Sequence, residues 1–262
     1  MVRMIADRLR DEEQIRKSMV FPYQLLVAYL NTTDVPTPIK EALQDAMEIA
    51  VSNVPSFDGK VYVFPDVSGS MSGASVTGNR GSATSAVRCI DVAALIAASV
   101  LRNNKEAEVI PFEGDICNVT LNPRDSIMTN AQKLAAIGGG STNCSAPLAL
   151  LNRRKAKGDL LIYVSDNESW ADHWIHGNSY TWGTRNKGTV TVGEWAEFKK
   201  RNPKVKMVCI DLCANTSTQA NESKDILNVG GFSDNVFTQI RDFVTGDMDS
   251  GHWVGEVERI SI

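Results

Sequence analysis

The chain has 262 residues, a formal net charge of −4, 43% hydrophobic residues and 22% charged residues. This length is enough for one large domain with a continuous core, or for one domain with an appended segment. The small acidic excess excludes a global basic field that would attract nucleic acid or anionic lipid, so an RNA-binding role would need a local basic surface.

Membrane insertion and secretion are not expected. The apolar run at residues 90–101 is much shorter than the roughly 20 residues that span a bilayer. Residues 1–11 carry Arg and Asp and lack the apolar stretch of a secretory signal. The cysteines contain no CxxC pair, which is typical of reduced thiols in a cytoplasmic protein. We expect a cytoplasmic protein that does not contact a membrane and is monomeric.

The first 52 or so residues have helical patterns. Residues 5–16 are amphipathic, and Thr37 followed by Pro38 is a typical helix start. In the helix that follows, apolar residues recur at helical spacing and form one stripe. They are Ile39, Leu43, Ala46, Met47 and Ala50. We therefore predict a helical segment at 1–55 and a second domain at 56–262.

From residue 60 onward, short apolar strands alternate with helices. The strand candidates are residues 61–64, 107–112, 160–164 and 206–212, and the helix candidates are 86–101, 126–136, 147–153, 192–201 and 237–244. Strands that are apolar on both faces and separated by helices predict a doubly wound α/β fold, with a mostly parallel sheet covered by helices on both faces. Residues 116–119 are predicted to form one antiparallel edge strand.

Polar residues cluster where the predicted strands end. Asp66, Ser68 and Ser70 follow the first strand, Thr142 follows a run of three glycines, and Asp166 ends the strand at 160–164. In an extended backbone, side chains at every second position project to one side, so the first three could converge. Ligands of doubly wound sheets bind at the carboxyl ends of the strands. We therefore expect these five side chains to form one site.

The chemistry of these side chains favours a hard divalent cation. Carboxylate and hydroxyl oxygens are the ligands preferred by Mg²⁺, Mn²⁺ or Ca²⁺, and no thiolate or imidazole is present to favour zinc. The two carboxylates would repel each other without an ion. A phosphate-binding loop would need a lysine that neither glycine-rich stretch contains, and in a nucleophile elbow Met71 would occupy the serine position. A phosphohydrolase with Asp66 as nucleophile stays an alternative, although its motif would have a second acid where Ser68 stands.

These residues resemble a known family pattern. Asp66-x-Ser68-x-Ser70, then Thr142, then Asp166 is similar to the metal-ion-dependent adhesion site (MIDAS) of von Willebrand factor A (vWA) domains. The resemblance implies a vWA/Rossmann-like fold, a bound Mg²⁺ ion and no catalysis. It also implies that a partner protein supplies an Asp or Glu to the metal.

A narrower resemblance lies in three longer stretches. "GKVYVFPDVSGSMSG", "GGGSTNCSAPL" and "YVSDNESW" resemble the C-terminal part of the Ro ribonucleoprotein family, in which a ring of helical repeats, the TROVE module, precedes a vWA domain. This resemblance implies that residues 1–55 correspond to the end of the ring. It also implies binding of small noncoding RNA, mostly through the part of the ring that is absent here.

Several alternatives stay open from the sequence. An ion at this site could simply tie three loops together, and the chain could be an RNA-binding module in its own right. The aromatic residues Trp170, Trp174 and Trp182 lie in a long irregular stretch after Asp166. They could pack on their own domain or form a partner-binding rim around the metal, since Trp is common at interface hot spots.

Overall fold

The protein is described by a computed structural model that covers residues 1–32, 34–76, 87–166, 190–213, 223–231 and 235–246. The helices in this part of the chain are α1 Val2–Leu9, α2 Glu12–Ser18, α3 Pro22–Asn31, α4 Thr37–Ala50, α5 Gly69–Gly73, α6 Cys89–Asn103, α7 Ile127–Ala135, α8 Ala146–Arg153, α9 Val190–Arg201 and α10 Asn235–Thr245. A 3₁₀ turn, Val51–Asn53, follows α4. No helix in the described ranges is long and apolar enough to span a membrane.

Five strands form one parallel sheet with the order β2-β1-β3-β4-β5. They are β1 Val61–Pro65, β2 Ala107–Val109, β3 Leu160–Ser165, β4 Lys206–Asp211 and β5 Ile226–Gly230. All residues of β1 and β3 are buried, as expected for strands covered on both faces. Strand β2 lies on one side of β1, and β3, β4 and β5 are added in order on the other side. The strand order therefore switches at β1. The predicted α/β architecture is confirmed.

One predicted edge strand is wrong and one strand was missed. Residues 116–119 do not form a strand, and only one antiparallel bridge joins Ile116 to Phe112. The preceding strand ends at Val109, although the N–H groups of Ile110 and Phe112 still donate to the carbonyl oxygens of Val63 and Pro65 in β1. The missed strand, β5, contains Asn228 and a glycine, so its apolar pattern is weak.

Alternate residues of the central strands enter two separate cores. Val61 and Val63 of β1 pack in a core with α3, α4, α6, α7 and α10. Tyr62 and Phe64 face the other side, where the core includes Phe198 of α9 and residues of α8. The alternation of side chains along a strand therefore places helices on both faces of the sheet.

The N-terminal segment is helical, as predicted, and it packs on the first of these two cores. Residues 5–16 are divided between α1 and α2, because the Asp11 side chain caps α2 by accepting a hydrogen bond from the Gln14 N–H. Met47 of α4 lies in the same hydrophobic cluster as Val63 of β1. The side-chain nitrogen Nδ2 of Asn103 also donates to the carbonyl oxygens of Val51 and Val54, at 2.6 and 2.7 Å.

Candidate metal centre

Two serine hydroxyls and one carboxylate meet directly after β1. The Ser68 N–H donates to Asp66 Oδ1 at 2.9 Å, and the hydroxyl oxygens of Ser68 and Ser70 lie 3.1 Å apart. The reason differs from the one expected, because Ser70 lies in the short helix α5 and not in extended backbone. A turn that begins at Gly69 folds the second serine back toward the first.

The end of β3 contacts the same carboxylate. The Ser165 hydroxyl donates to Asp66 Oδ2 at 2.7 Å, and the Asp66 N–H donates to the carbonyl oxygen of Val164 at 2.9 Å. Asp166 is the next residue, and its charge acts on Asp66. Parallel pairing of β1 with β3 therefore brings the two acids, 100 positions apart, to one edge of the sheet.

The electrostatics of Asp66 are those of a buried acid that lies close to a second acid, Asp166. Burial raises the pKa of Asp66 from 3.8 to about 6, the hydrogen bonds from Ser165 and Ser68 oppose this rise, and the nearby charge of Asp166 adds to it. The Asp66 carboxylate is fully buried. A cation at this position would stabilise its ionised form.

The glycine loop, residues 138–141, contacts the serine loop, residues 68–70, through a backbone hydrogen bond. The Gly69 N–H donates to the carbonyl oxygen of Gly140 at 2.9 Å. The Gly140 N–H in turn donates to Glu113 Oε2 at 2.8 Å. Thr142, two residues further on, is only 1% exposed. The three loops that carry the candidate ligands therefore meet at the carboxyl ends of β1 and β3.

The donor set at this edge suits Mg²⁺, Mn²⁺ or Ca²⁺. Asp66, Ser68, Thr142 and Asp166 are each at most 3% exposed, whereas Ser70 is half-buried. All five offer oxygen atoms only, the ligand type that hard cations prefer. Within the described ranges, no group of three or more His, Cys, Asp or Glu side chains is arranged to hold a metal ion. This centre contains two carboxylates and depends on hydroxyls for the rest.

Two residues that were not among the predicted ligands support this centre. Ser165 orients Asp66, and Glu113 holds the glycine loop through Gly140. Ser165 stands beside Asp166 at the end of an apolar strand, which was a usable signal. Glu113 gave none, because its role depends on a contact 27 positions away. The predicted rim residues Trp170, Trp174 and Trp182 lie outside the described residues.

The fold and the site together define a class of protein, a doubly wound parallel α/β domain with polar loops at the carboxyl end of its sheet. The family described as the Ro60 vWA domain matches residues 60–244. The chain therefore belongs to the Ro60 vWA domain family.

Similar proteins are known from a bacterium and from an animal. The chain is 26% identical over 243 residues to a Deinococcus radiodurans protein named "RNA-binding protein RO60". The aligned region covers 88% of this chain and 42% of that relative. It is also 26% identical over 178 residues to a Caenorhabditis elegans protein of the same name, and that aligned region covers 64% of this chain and 27% of the relative. The chain thus spans less than half the length of these relatives.

A solved structure shares the fold. The crystal structure of the Deinococcus radiodurans RO (RSR) protein matches with a TM-score of 0.74 and 21% sequence identity, over 94% of this chain and 48% of that one. The match extends beyond the α/β domain, because 94% of the chain includes most of the N-terminal helices. The helical segment therefore has a counterpart of similar fold.

Proposed function

We propose that this chain is a non-enzymatic binding module whose metal-ion-dependent site docks a partner protein through an acidic side chain. The observation that carries the proposal is the buried Asp66 carboxylate, which lies within the influence of Asp166 and touches the serine loop. Like charges in a buried place favour an ion between them. The surrounding hydroxyls fit such an ion.

Each residue has a distinct role in this proposal. Ser68, Ser70 and Thr142 would hold the ion through neutral hydroxyl oxygens. Asp66 and Asp166 would balance its charge from further away, through water. When bound, the divalent cation supplies a centre of positive charge that neutral ligands leave incompletely neutralised, so an outside carboxylate is attracted. Ser70 is the half-buried member, and it marks the side from which a partner would approach.

The surroundings support a role in binding. Gly138, Gly139 and Ser141 are exposed beside the centre, and so is Gly73 at the end of α5. Small residues leave room for another protein to approach the ion closely.

The wider proposal is that this module serves a Ro-like ribonucleoprotein that is associated with small noncoding RNA. Support comes from the family membership and from the names of the relatives, which are RNA-binding proteins. In this arrangement the RNA is bound mostly by a helical ring, whose last helices correspond to residues 1–55. The vWA domain then brings a protein to the particle.

The metal part of the proposal is tested by isothermal titration calorimetry with MgCl₂ and MnCl₂. Asp66→Ala is expected to lower the affinity at least tenfold, because it removes the buried charge that the ion balances. Asp115→Ala is the matched control, since it removes an exposed acid from a neighbouring loop and should bind as the unmodified chain does. Equal affinities for all three proteins would refute the site.

The docking part needs a separate probe. Propionate, a simple carboxylate, is titrated into the Mn²⁺-loaded protein while the relaxation rate of water protons is followed. A carboxylate that enters the coordination sphere displaces water and lowers the relaxation enhancement. Propionamide has a similar size and no charge, and it should leave the enhancement unchanged. If propionate also has no effect, the proposed docking of an outside acid is wrong.

RNA binding by this chain alone is a second candidate function, and the names of the relatives favour it. It predicts that a labelled structured RNA hairpin binds with an affinity that falls steeply as salt increases, because phosphate contacts release counterions. The net charge of −4 opposes this function. Fluorescence anisotropy at two salt concentrations distinguishes the two candidates, since docking through the metal centre needs no RNA affinity.

A further inference from the structure

Two cysteines from distant parts of the chain face each other beside the candidate metal centre. The sulfur atoms of Cys89 and Cys213 lie 3.2 Å apart, although the residues are 124 positions apart in the chain. Cys89 is the first residue of α6 and is fully buried, and Cys213 follows the end of β4 and is half-buried. None of the five cysteines forms a disulfide in this structure.

Backbone hydrogen bonds hold both cysteines in place. The Cys89 N–H donates to the carbonyl oxygen of Ala74 at 2.9 Å, and the Ala74 N–H donates to that of Ser70 at 3.0 Å. On the other side, the Cys213 N–H donates to Asp211 Oδ1 at 3.0 Å. The two sulfur atoms are therefore presented to each other by the folded backbone, and their contact does not depend on a flexible terminus.

The distance between the sulfur atoms is close to what a covalent bond requires. A disulfide has a sulfur–sulfur length of about 2.05 Å, so the two atoms must approach by about 1 Å. Side-chain rotation and a small backbone adjustment can supply this movement.

The two thiols differ in their surroundings. Contact with the Cys213 sulfur raises the pKa of Cys89 above its usual range, and burial and the charges of Asp166 and Asp211 add to this rise. Cys89 is thus held as a protonated thiol. Cys213 is the more exposed residue of the two, so it is the one at which we expect a small oxidant to react first.

We propose that Cys89 and Cys213 form a redox-active pair that closes a reversible intramolecular disulfide when the protein meets a peroxide. In the first step the Cys213 thiol attacks one oxygen of hydrogen peroxide, which breaks the O–O bond and yields Cys213 sulfenic acid and one water. In the second step the Cys89 thiol gives its proton to the hydroxyl group of the sulfenic acid as its sulfur attacks the sulfenic sulfur, so the S–O bond breaks and a second water leaves. Two thiols have then lost two electrons and two protons to the peroxide, and a dithiol restores them.

The new bond would connect the start of α6 to the end of β4. The start of α6 contacts the serine loop through Ala74, which donates to the carbonyl oxygen of Ser70. The end of β4 lies beside β3, the strand that leads to Asp166. The chain would thus acquire a covalent cross-link at the edge of the sheet where the candidate ligands lie. The inference about the thiols does not depend on whether that edge binds a metal.

The test uses the full chain, oxidised with a small molar excess of hydrogen peroxide and then alkylated with N-ethylmaleimide under denaturing conditions. Intact mass is expected to show two fewer alkylated thiols than in the reduced protein. A non-reducing peptide map should show one linked peptide pair that contains residues 89 and 213, and dithiothreitol should remove it. This map decides the question on the unmodified protein. Alkylation of all five thiols, or a link between other cysteines, would overturn the proposal.

Variants and thermal unfolding give a second readout. Cys213→Ser should prevent the loss of alkylation, and Cys117→Ser, the matched control, should leave the disulfide in place. The oxidised protein is expected to unfold several degrees higher than the reduced protein, because the bond closes a loop of more than 100 residues in the unfolded chain.

Discussion

At the scale of single residues, the buried carboxylate of Asp66 lowers the stability of the folded protein when it is ionised. The carboxylate is fully buried, it accepts hydrogen bonds from the Ser165 hydroxyl and the Ser68 N–H, and its pKa is raised to about 6. Keeping it ionised at neutral pH therefore costs stability. A site built in this way has more to gain from an ion than an exposed pair of acids would have.

The first prediction concerns the Asp66→Asn variant and pH. In the unfolded chain Asp66 loses its proton near pH 3.8, and in the folded protein it does so near pH 6. The folded state binds more protons between these values, so this residue lowers stability as the pH rises from about 4 to 6, by about 3 kcal/mol in total. Without divalent cations, Asp66→Asn should be more stable than the unmodified chain at pH 7 and similar at pH 4.

Urea denaturation in EDTA at several pH values measures this difference. The same experiment with MgCl₂ at pH 7 should stabilise the unmodified chain and leave Asp66→Asn unchanged, because the variant lacks the charge that the ion would balance. Parallel pH curves for the two proteins would show that Asp66 does not have the raised pKa on which this prediction depends.

The second prediction concerns Ser165, which donates to Asp66 at 2.7 Å. Ser165→Ala removes this donor, so the buried carboxylate loses a hydrogen bond and its pKa rises further. We expect a loss of about 1–3 kcal/mol at pH 7 and a smaller loss near pH 4, where Asp66 is protonated in the folded state. Ser99→Ala is the matched control, since the buried Ser99 hydroxyl donates at 2.7 Å to the carbonyl oxygen of Leu95. Its cost should be the same at both pH values.

At the scale of elements, the candidate centre depends on how loops are fastened to strand ends. The glycine loop before α8 is held by the Gly69 N–H on one side and by the Glu113 carboxylate on the other. Glu113 also accepts from the Asn143 N–H through its own carbonyl oxygen, at 2.8 Å. The position of Thr142 is therefore set by contacts of its neighbours along the chain.

The third prediction concerns Gly140→Ala. A methyl group at this position would lie 2.5 Å from the carboxyl carbon of Glu113, so the Glu113 side chain must swing away and lose its bond to the Gly140 N–H. We expect about tenfold weaker Mn²⁺ binding, because the loop that carries Thr142 is no longer fixed. Gly73→Ala is the matched control, since its added methyl group meets no atom within 4 Å. Equal Mn²⁺ affinities in calorimetry for both variants would contradict this role of the loop.

How far the sequence predicts this structure depends on whether a signal is local. The strands β1, β3 and β4 are apolar on both faces, and the helices carry apolar residues at helical spacing, so both were predictable within a few residues. The order of the strands and the weak β5 were not, because they depend on pairing between distant segments. At the candidate site, the five candidate ligands could be picked out from the sequence, because Asp66, Ser68, Ser70 and Asp166 follow strands and Thr142 follows the glycine run. The supporting contacts of Ser165 and Glu113 could not, because they join segments that are distant in the chain.

At the scale of the whole molecule, the helical segment and the α/β domain share one hydrophobic core. Residues of α3 and α4 lie in the same cluster as β1, α6 and α10. The Glu48 carboxylate adds a polar connection, since it accepts from Arg102 at 2.7 Å and from the Ile127 N–H at 2.6 Å. We therefore expect residues 1–55 and the α/β domain to unfold together, although the family match begins only at residue 60.

The fourth prediction tests this cooperativity through an aromatic pair. The rings of Phe21 and Phe237 are stacked with centroids 5.2 Å apart, and both side chains are buried. Phe21→Ala is expected to lower the free energy of unfolding by about 3–5 kcal/mol. A double-mutant cycle with Phe237→Ala should give a coupling of about 0.5–1.5 kcal/mol, since stacking contributes beyond burial.

The decisive feature is the shape of the urea transition followed by far-UV circular dichroism. If the segment and the domain share one core, Phe21→Ala shifts a single transition as a whole to lower urea. Leu30→Ala, which truncates an exposed apolar side chain of α3, should move it by less than about 0.5 kcal/mol. If Phe21→Ala instead melts the N-terminal helices early and leaves the main transition unmoved, the α/β domain stands without them. The helices would then be a separate unit, because loss of the Phe21–Phe237 contact would not destabilise the sheet.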